Sequence, residues 1–309
     1  MRMDIFRDDA LDGKSILVTG GGSGLGKEIS KALVAKGAQV HICGRRPQVL
    51  ESAAKEISAG AVHAVLPHIC DIRDADQVET MMSAIWQDGP LTSLVNNAAA
   101  NFIAPTKDLS PRGFRAITST VMDGSFHVTL SAGKRWIAGG LKGSVVSNLV
   151  TWVWTGSAFV VPSAMAKTAL HAMTMSLAVE WGRYGIRLNA TAPGPFPTES
   201  AWEKLNPIPD AKSSATSSDT VPLRRYGEMR ELQNLIVFLL SDACDYLTGP
   251  DDRDRWRSAP RRPRNLRGFD VPDGRTMAGR ARGDPAIDTA RKGREVGERM
   301  SALPAQETT

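Results

Sequence analysis

The stretch Thr19-Gly20-Gly21-Gly22-Ser23-Gly24-Leu25-Gly26 constrains this chain more than any other. It follows a short apolar run, Ile16-Leu17-Val18, and opens a helical pattern at Lys27. A strand, a glycine turn and a helix start are what a dinucleotide pyrophosphate needs. Backbone comes close to the phosphates there, and the helix start offers free N–H groups and a positive dipole end. Gly20, Gly22, Ser23, Gly24, Leu25 and Gly26 are therefore candidate cofactor contacts. A glycine-rich surface turn is the alternative reading of the same residues.

The rest of the chain repeats the alternation. Strand patterns at 15–19, 38–43, within 61–70, at 94–97, 143–149 and 186–192 are separated by helical ones. The first helix runs to Lys36 with Gly37 as its C-terminal stop, and others cover 48–58, 74–86, 163–184 and 228–241, with one or two over 111–137. This spacing predicts an α/β fold, a doubly wound parallel sheet of the Rossmann kind, as a single domain over residues 1–250. Residues 207–220, rich in Ser, Pro and Asp, are expected to form a lid loop over the substrate.

Several function classes are excluded by what the chain lacks. No apolar run reaches the ~18 residues of a membrane span. Residues 1–13 carry acids and no apolar core, so neither a signal nor a transit peptide is expected and the cytoplasm is the default location. Cys43, Cys70 and Cys244 lie far apart without metal-ligand spacing; they are expected to be buried thiols, and no metal is expected. The net charge is +5, but residues 251–309 hold 14 Lys and Arg against 10 Asp and Glu, while the first 250 hold 24 against 23. A nearly neutral domain gives no footprint for nucleic acid.

At the end of the second strand stands Gly44-Arg45-Arg46, about 20 residues past the glycine turn, where an acid would bond a ribose 2′-hydroxyl. No acid is present. Arg45 and Arg46 suit a 2′-phosphate, so NADPH is the expected cofactor, against the alternative of a solvated arginine pair.

With Thr19 in front, the Gly-x3-Gly-x-Gly spacing resembles that of the short-chain dehydrogenases/reductases. Other positions resemble the same family. Asp71, followed by Ile72, is similar to its adenine-binding Asp, with a helix N-cap as the alternative reading. Asn96-Asn97-Ala98-Ala99 is similar to its cofactor-bracing motif, which implies contacts from Asn97 and Ala98. Pro193 and Gly194, with Phe196 nearby, resemble its nicotinamide-side loop. The family's Tyr-x3-Lys signature appears as Ser163-Ala164-Met165-Ala166-Lys167. Lys167 implies a ribose contact, but a serine hydroxyl at 163 is too weak an acid for ordinary carbonyl reduction.

Serine at that position resembles the 2,4-dienoyl-CoA reductases of the mitochondrial type. So do the blocks from Thr155 to Ser163, from Asn96 to Ile103 and from Ala192 to Pro195; the resemblance spans residues 11–249. It implies NADPH-dependent hydride transfer to a conjugated enoyl thioester, a dienolate stabilised by donors at the thioester oxygen, and then protonation on carbon. The group's tyrosine lies eleven positions before the serine, and Trp152 stands there, in an expected loop. An indole N–H donates a hydrogen bond but does not release its proton. Asp123 stands in place of the group's Asn; if buried, its raised pKa would let it donate a proton. Arg73 and Lys204 resemble basic contacts to the coenzyme A moiety, and Asn101 and Phe102 would line the acyl pocket. A homo-oligomer, a tetramer by analogy, is implied as well. Two alternatives stay open: a carbonyl/alcohol oxidoreductase of the wider family, and a catalytically impaired NADP-binding protein.

The family ends on a strand of the form Thr-Gly-x4-Ile-Asp-Gly-Gly. Here Thr248-Gly249 is followed by Pro250-Asp251-Asp252-Arg253-Asp254-Arg255. Residues 251–309 have the composition of a disordered basic tail. A one-base insertion near the codon for Pro250 is the expected cause, since shifting the frame there permits the family's ending.

Overall fold

Strands of a parallel sheet covered on both faces are apolar throughout. In β1 (Ser15–Thr19), Ile16 and Val18 enter one core and Leu17 the other. A computed structural model describes residues 6–198, 218 and 221–249 of the protein. The expected lid, apart from Ser218, and Lys204 and the 251–309 tail lie outside the described residues.

Five further strands pair with or follow β1: β2 (Gln39–Gly44), β3 (Leu66–Ile69), β4 (Ser93–Asn96), β5 (Gly143–Asn148) and β6 (Ile186–Thr191). The sheet order is β3-β2-β1-β4-β5-β6, and every pair is parallel. The order reverses between β1 and β4, the point beyond whose strand C-termini an open α/β sheet binds its ligands.

Helices α1 (Gly24–Val34), α2 (Pro47–Ser58) and α8 (Met229–Leu240) cover one face, with Ile29, Leu33, Leu50, Ile57 and Ile236 packed on Val18, Val40 and Val95. Helices α3 (Ala75–Gln87), α5 (Gly124–Gly139) and α7 (Val161–Trp181) cover the other, with Met82, Ile85, Val128, Trp136 and Trp181 on Leu17, Leu94 and Leu188. The doubly wound expectation holds, and the strand bounds agree to within a few residues. Beyond α1, Gly37 takes φ 90°; its N–H bonds Val34 O and Ala38 N–H bonds Leu33 O, which closes the helix where the glycine is expected to stop it. All three cysteines are buried.

Three local features differ from expectation. The 111–137 pattern is one continuous helical run, α4 (Pro111–Thr118) and α5 joined by a π turn, Ser119–Asp123, in which Gly124 N–H bonds Ser119 O. Residues Trp152–Thr155, expected as loop, form a one-turn helix, α6. The cap of α3 is Asp74, whose side chain accepts from the N–H groups of Asp76 and Gln77, so Asp71 is not that cap.

His41 and His68, on β2 and β3, face each other with Nδ1 and Nε2 3.0 Å apart. His41 is 1% exposed. Burial first, and then His68, push its pKa down from 6.5 to about 4. Burial also lowers His68, against Asp88. Above pH 6.5 the ring is neutral in both states and costs nothing. Between 6.5 and 4 the unfolded chain takes a proton that the folded one refuses, so stability falls across that window. Urea unfolding at stepped pH should show a loss of up to about 3 kcal/mol from pH 7 to pH 4. His41→Gln should flatten that slope; an unchanged slope would assign the acid sensitivity elsewhere.

Candidate active site

The glycine turn is pressed between two strands. Gly20, at φ 67°, donates its N–H to Cys43 O, and a Cβ there would lie 3.0 Å from Ala98 Cα. At Gly26 a Cβ would sit 2.4 Å from Gly20 O and 2.5 Å from Asn97 Nδ2. Only glycine permits this approach of helix to strand. Ser23 precedes α1 in extended conformation and makes no side-chain cap, and the first turn of α1 holds no acid. The helix therefore starts with free N–H groups and an uncompensated dipole. This backbone cradle of Gly22, Ser23, Gly24, Leu25 and Gly26 fits a pyrophosphate.

Along the same edge, Arg45 and Arg46 are exposed just past β2. Asp71 pairs with Arg73: its carboxylate accepts from Arg73 N and from the guanidinium, which holds it below the usual carboxylate range. Arg73, expected to meet substrate, is thus engaged by a neighbouring acid. Ile72 is buried under Gly124, where a Cβ would come within 2.6 Å of its Cγ1, and Ile72 O lies 3.1 Å from His127 Nδ1.

The strand ends are laced together by side chains. Thr19 Oγ1 accepts from the N–H groups of Asn97 and Ala98, both at 3.0 Å, and Asn97 Nδ2 donates to Thr19 O. Asn148 Nδ2 donates to Asn97 Oδ1 at 3.0 Å, and Thr191 Oγ1 donates to Asn148 Oδ1 at 2.6 Å. From α7, Lys167 Nζ reaches Asn148 O. Lys167 is buried, which pushes its pKa down to about 8. Sequence reasoning missed Asn148 and Thr191. Their one signal is a polar residue at the C-terminal end of a strand.

Ser163 lies one turn before Lys167 on the same buried face of α7. Trp152 is half-buried in α6. Asp123 ends the π turn, half-buried, in a crevice shared with Ala169, Leu170 and Met173, all within two turns of Lys167 on α7. No hydrogen bond among the described residues joins it to Ser163 or Lys167. The structure thus brings Lys167 onto Asn148, which is itself bonded to Asn97, sets Ser163 one turn before it along α7, and places Asp123 in the crevice lined by Ala169 and Leu170. Pro193 and Gly194 follow β6, and the Phe196 ring turns away against Gly227 and the core under α1 and α8.

Beyond β4 and β5 two loops meet. Ala104 N–H bonds Phe159 O, and Phe159 holds φ 66°, a strained value for a side-chain-bearing residue. Phe102, Ile103, Trp154 and Phe159 form exposed apolar surface on these loops. Asn101 Oδ1 is buried without a hydrogen-bond partner among the described residues. Nicotinamide–ribose binding at the strand ends, with an apolar substrate beyond, is what the arrangement can support.

Residues 20–251 match the sequence model of a family described as Enoyl-(Acyl carrier protein) reductase. The chain is 39% identical over 248 residues to a probable 2,4-dienoyl-CoA reductase 3 [(3E)-enoyl-CoA-producing] of Caenorhabditis elegans, covering 79% of this chain and 80% of that protein. It is 37% identical over 241 residues to a probable 2,4-dienoyl-CoA reductase [(2E)-enoyl-CoA-producing] of Bacillus subtilis (strain 168), covering 77% of this chain and 94% of the relative. The crystal structure of a short chain dehydrogenase from Bacillus anthracis superposes with a TM-score of 0.68 at 36% identity, covering 80% of this chain and 98% of that one.

Gly26→Ala places a methyl against rigid backbone on one side. It should abolish dinucleotide binding in a fluorescence titration and destabilise the fold by about 1–3 kcal/mol. Wild-type affinity in that variant would disprove the cradle.

Proposed function

Because this chain belongs to the short-chain dehydrogenase/reductase family, we propose that it is an NADPH-dependent reductase of 2,4-dienoyl-CoA thioesters. The observation that carries this is Ser163 beside a buried Lys167, with apolar loops over the strand ends. A carbonyl reductase needs a phenol at 163; a conjugated thioester needs a hydrogen-bond donor at its oxygen, and a hydroxyl supplies one. The dienoyl-CoA names of the relatives support the same substrate class.

Bound NADPH supplies the hydride. Solvent water would supply the proton that carbon takes up, and the chain's own residues bind and orient the reacting groups. Lys167 binds the ribose hydroxyls from Asn148, and Arg45 and Arg46 bind the 2′-phosphate. Asp71 holds the adenine side, and Asn97 and Ala98 brace the glycine turn. Ser163 Oγ donates to the thioester oxygen, Trp152 Nε1 adds a second donor, and Asn101 and Phe102 face the acyl chain. The relatives' names divide between (2E)- and (3E)-enoyl products, so the position protonated is a separate property of each site.

A second copy of the chain would cover Met122 and Phe126 on the long helix and Met165 and Val179 on α7, all exposed. This supports the homo-oligomer reading. Trp152 and Asp123, which stand where the group's Tyr and Asn are expected, favour one rival, a cofactor-binding protein without turnover.

NADPH consumption with a short 2,4-dienoyl-CoA, a 2-enoyl-CoA and a 3-ketoacyl thioester tests the reading. Turnover confined to the dienoyl substrate is expected. Binding without turnover on any of the three selects the rival, and recovery in Trp152→Tyr would then mark a damaged enzyme. Replacing Arg45 and Arg46 by Ala should weaken NADPH at least ~10-fold and leave NADH nearly unchanged, as the loss of charge-assisted phosphate bonds requires. Equal weakening of both cofactors would count against a 2′-phosphate site.

A further inference from the structure

Asn148 closes β5 at the C-terminal edge of the sheet and is buried. Its amide has one orientation. Asn97 Nδ2 already donates to Thr19 O, so Asn97 Oδ1 is the acceptor that faces Asn148 Nδ2. Turning the Asn148 amide over would set two carbonyl oxygens against each other. On its far side Asn148 Oδ1 takes the Thr191 hydroxyl proton at 2.6 Å, and Leu149 N–H bonds Thr191 O at 2.7 Å. The peptide between 148 and 149 is therefore fixed through the side chain by Asn97, the residue that follows β4, and by β6 through both side chain and backbone. The carbonyl of that peptide is the acceptor of the Lys167 ammonium.

We propose that Asn148 is a positioning residue, whose locked peptide holds the Lys167 ammonium in one place at the cofactor edge of the sheet. A lysine side chain has large rotamer freedom, and burial removes water as an alternative partner. One immobile acceptor then decides where the charge sits. The value of this for catalysis rests on the reading of Lys167 as the ribose contact; the arrangement itself does not.

The groups around Lys167 in the network, Asn97, Asn148 and Thr191, are neutral. Arg112 and Arg115 on α4 are exposed, Asp123 and His127 line the crevice further along, and His171 lies one turn beyond on α7. None of them contributes to the lowering of the Lys167 pKa, whose cause is burial. A hydrogen bond to the ammonium opposes that lowering, so loosening the acceptor should lower the pKa further.

The test uses the full chain labelled with 13C at lysine Cε, followed by NMR against pH without cofactor, with Lys167→Arg assigning the signal. Thr191→Val is isosteric and suits a strand; it removes the hydroxyl that anchors Asn148 Oδ1. Thr191→Ser keeps that hydroxyl. The Lys167 midpoint should fall by about one unit in Thr191→Val and in Asn148→Ala, the size that one charge-assisted bond gives. It should stay in place in Thr191→Ser. NADPH affinity at pH 7 should fall in parallel, about tenfold. An unchanged midpoint in folded Thr191→Val and Asn148→Ala, whatever happens to their Tm, overturns the proposal. Failure of the wild type to bind NADPH would instead retire the cofactor reading and leave the midpoint result standing.

Discussion

One buried hydroxyl holds the two halves of this sheet in register where the strand order reverses. Thr19 Oγ1 accepts from two successive N–H groups on the far side of the split, those of Asn97 and Ala98, and also lies 3.3 Å from Val95 O. The glycine turn then rests on Ala98, and Asn97 offers its oxygen to Asn148. Each later part of the site takes its position from the one before. Networks of this kind work only when every member is satisfied, and here the members come from β1, β4, β5, β6 and α7. Beyond this network, Ser23 makes no side-chain cap at the start of α1, which leaves free N–H groups of the kind an anionic ligand uses.

Much of this was legible in the sequence because it depends on near neighbours. Apolar strand runs alternating with 3.6-residue helical faces gave the doubly wound sheet. The glycine turn gave the cradle, and Gly37 gave the end of α1. The π turn at Ser119–Asp123 was not legible, since a helix with one wide turn keeps almost the same apolar spacing. Asp71 and Asp74 carry the same side chain three residues apart ahead of α3, and only the start of the helix shows that Asp74 is its cap. Asn148 and Thr191 are bonded across 43 residues of chain. No local pattern encodes such a bond, and only the parallel pairing of β5 with β6 brings it about.

The chemistry of the site is defined as much by what replaces a phenol as by what remains. A serine hydroxyl at 163 and an indole N–H at 152 can each donate a hydrogen bond without acting as strong acids, which under the proposed function would suit a reaction whose charge spreads onto a thioester oxygen. The two loops beyond them are joined by the Ala104–Phe159 bond, at a cost of roughly 1–3 kcal/mol for the Phe159 backbone. Such strain is held only by surroundings that specify it. It sets exposed aromatic surface beyond the strand ends, next to the polar network of Thr19, Asn97, Asn148 and Thr191.

The wide turn in the long helix behaves like a vernier. Each residue of an α-helix advances the face by about 100°, so the one extra residue taken up between Ser119 and Asp123 sets the phase of everything after it. Gly124 meets Ile72, and Trp136 meets Gly143, only in that phase. A lineage that lost a single residue there would gain a more regular helix and lose the alignment of its whole second half with the sheet. The packing of the second half of the helix thus depends on a residue count set at the place where its backbone is least regular.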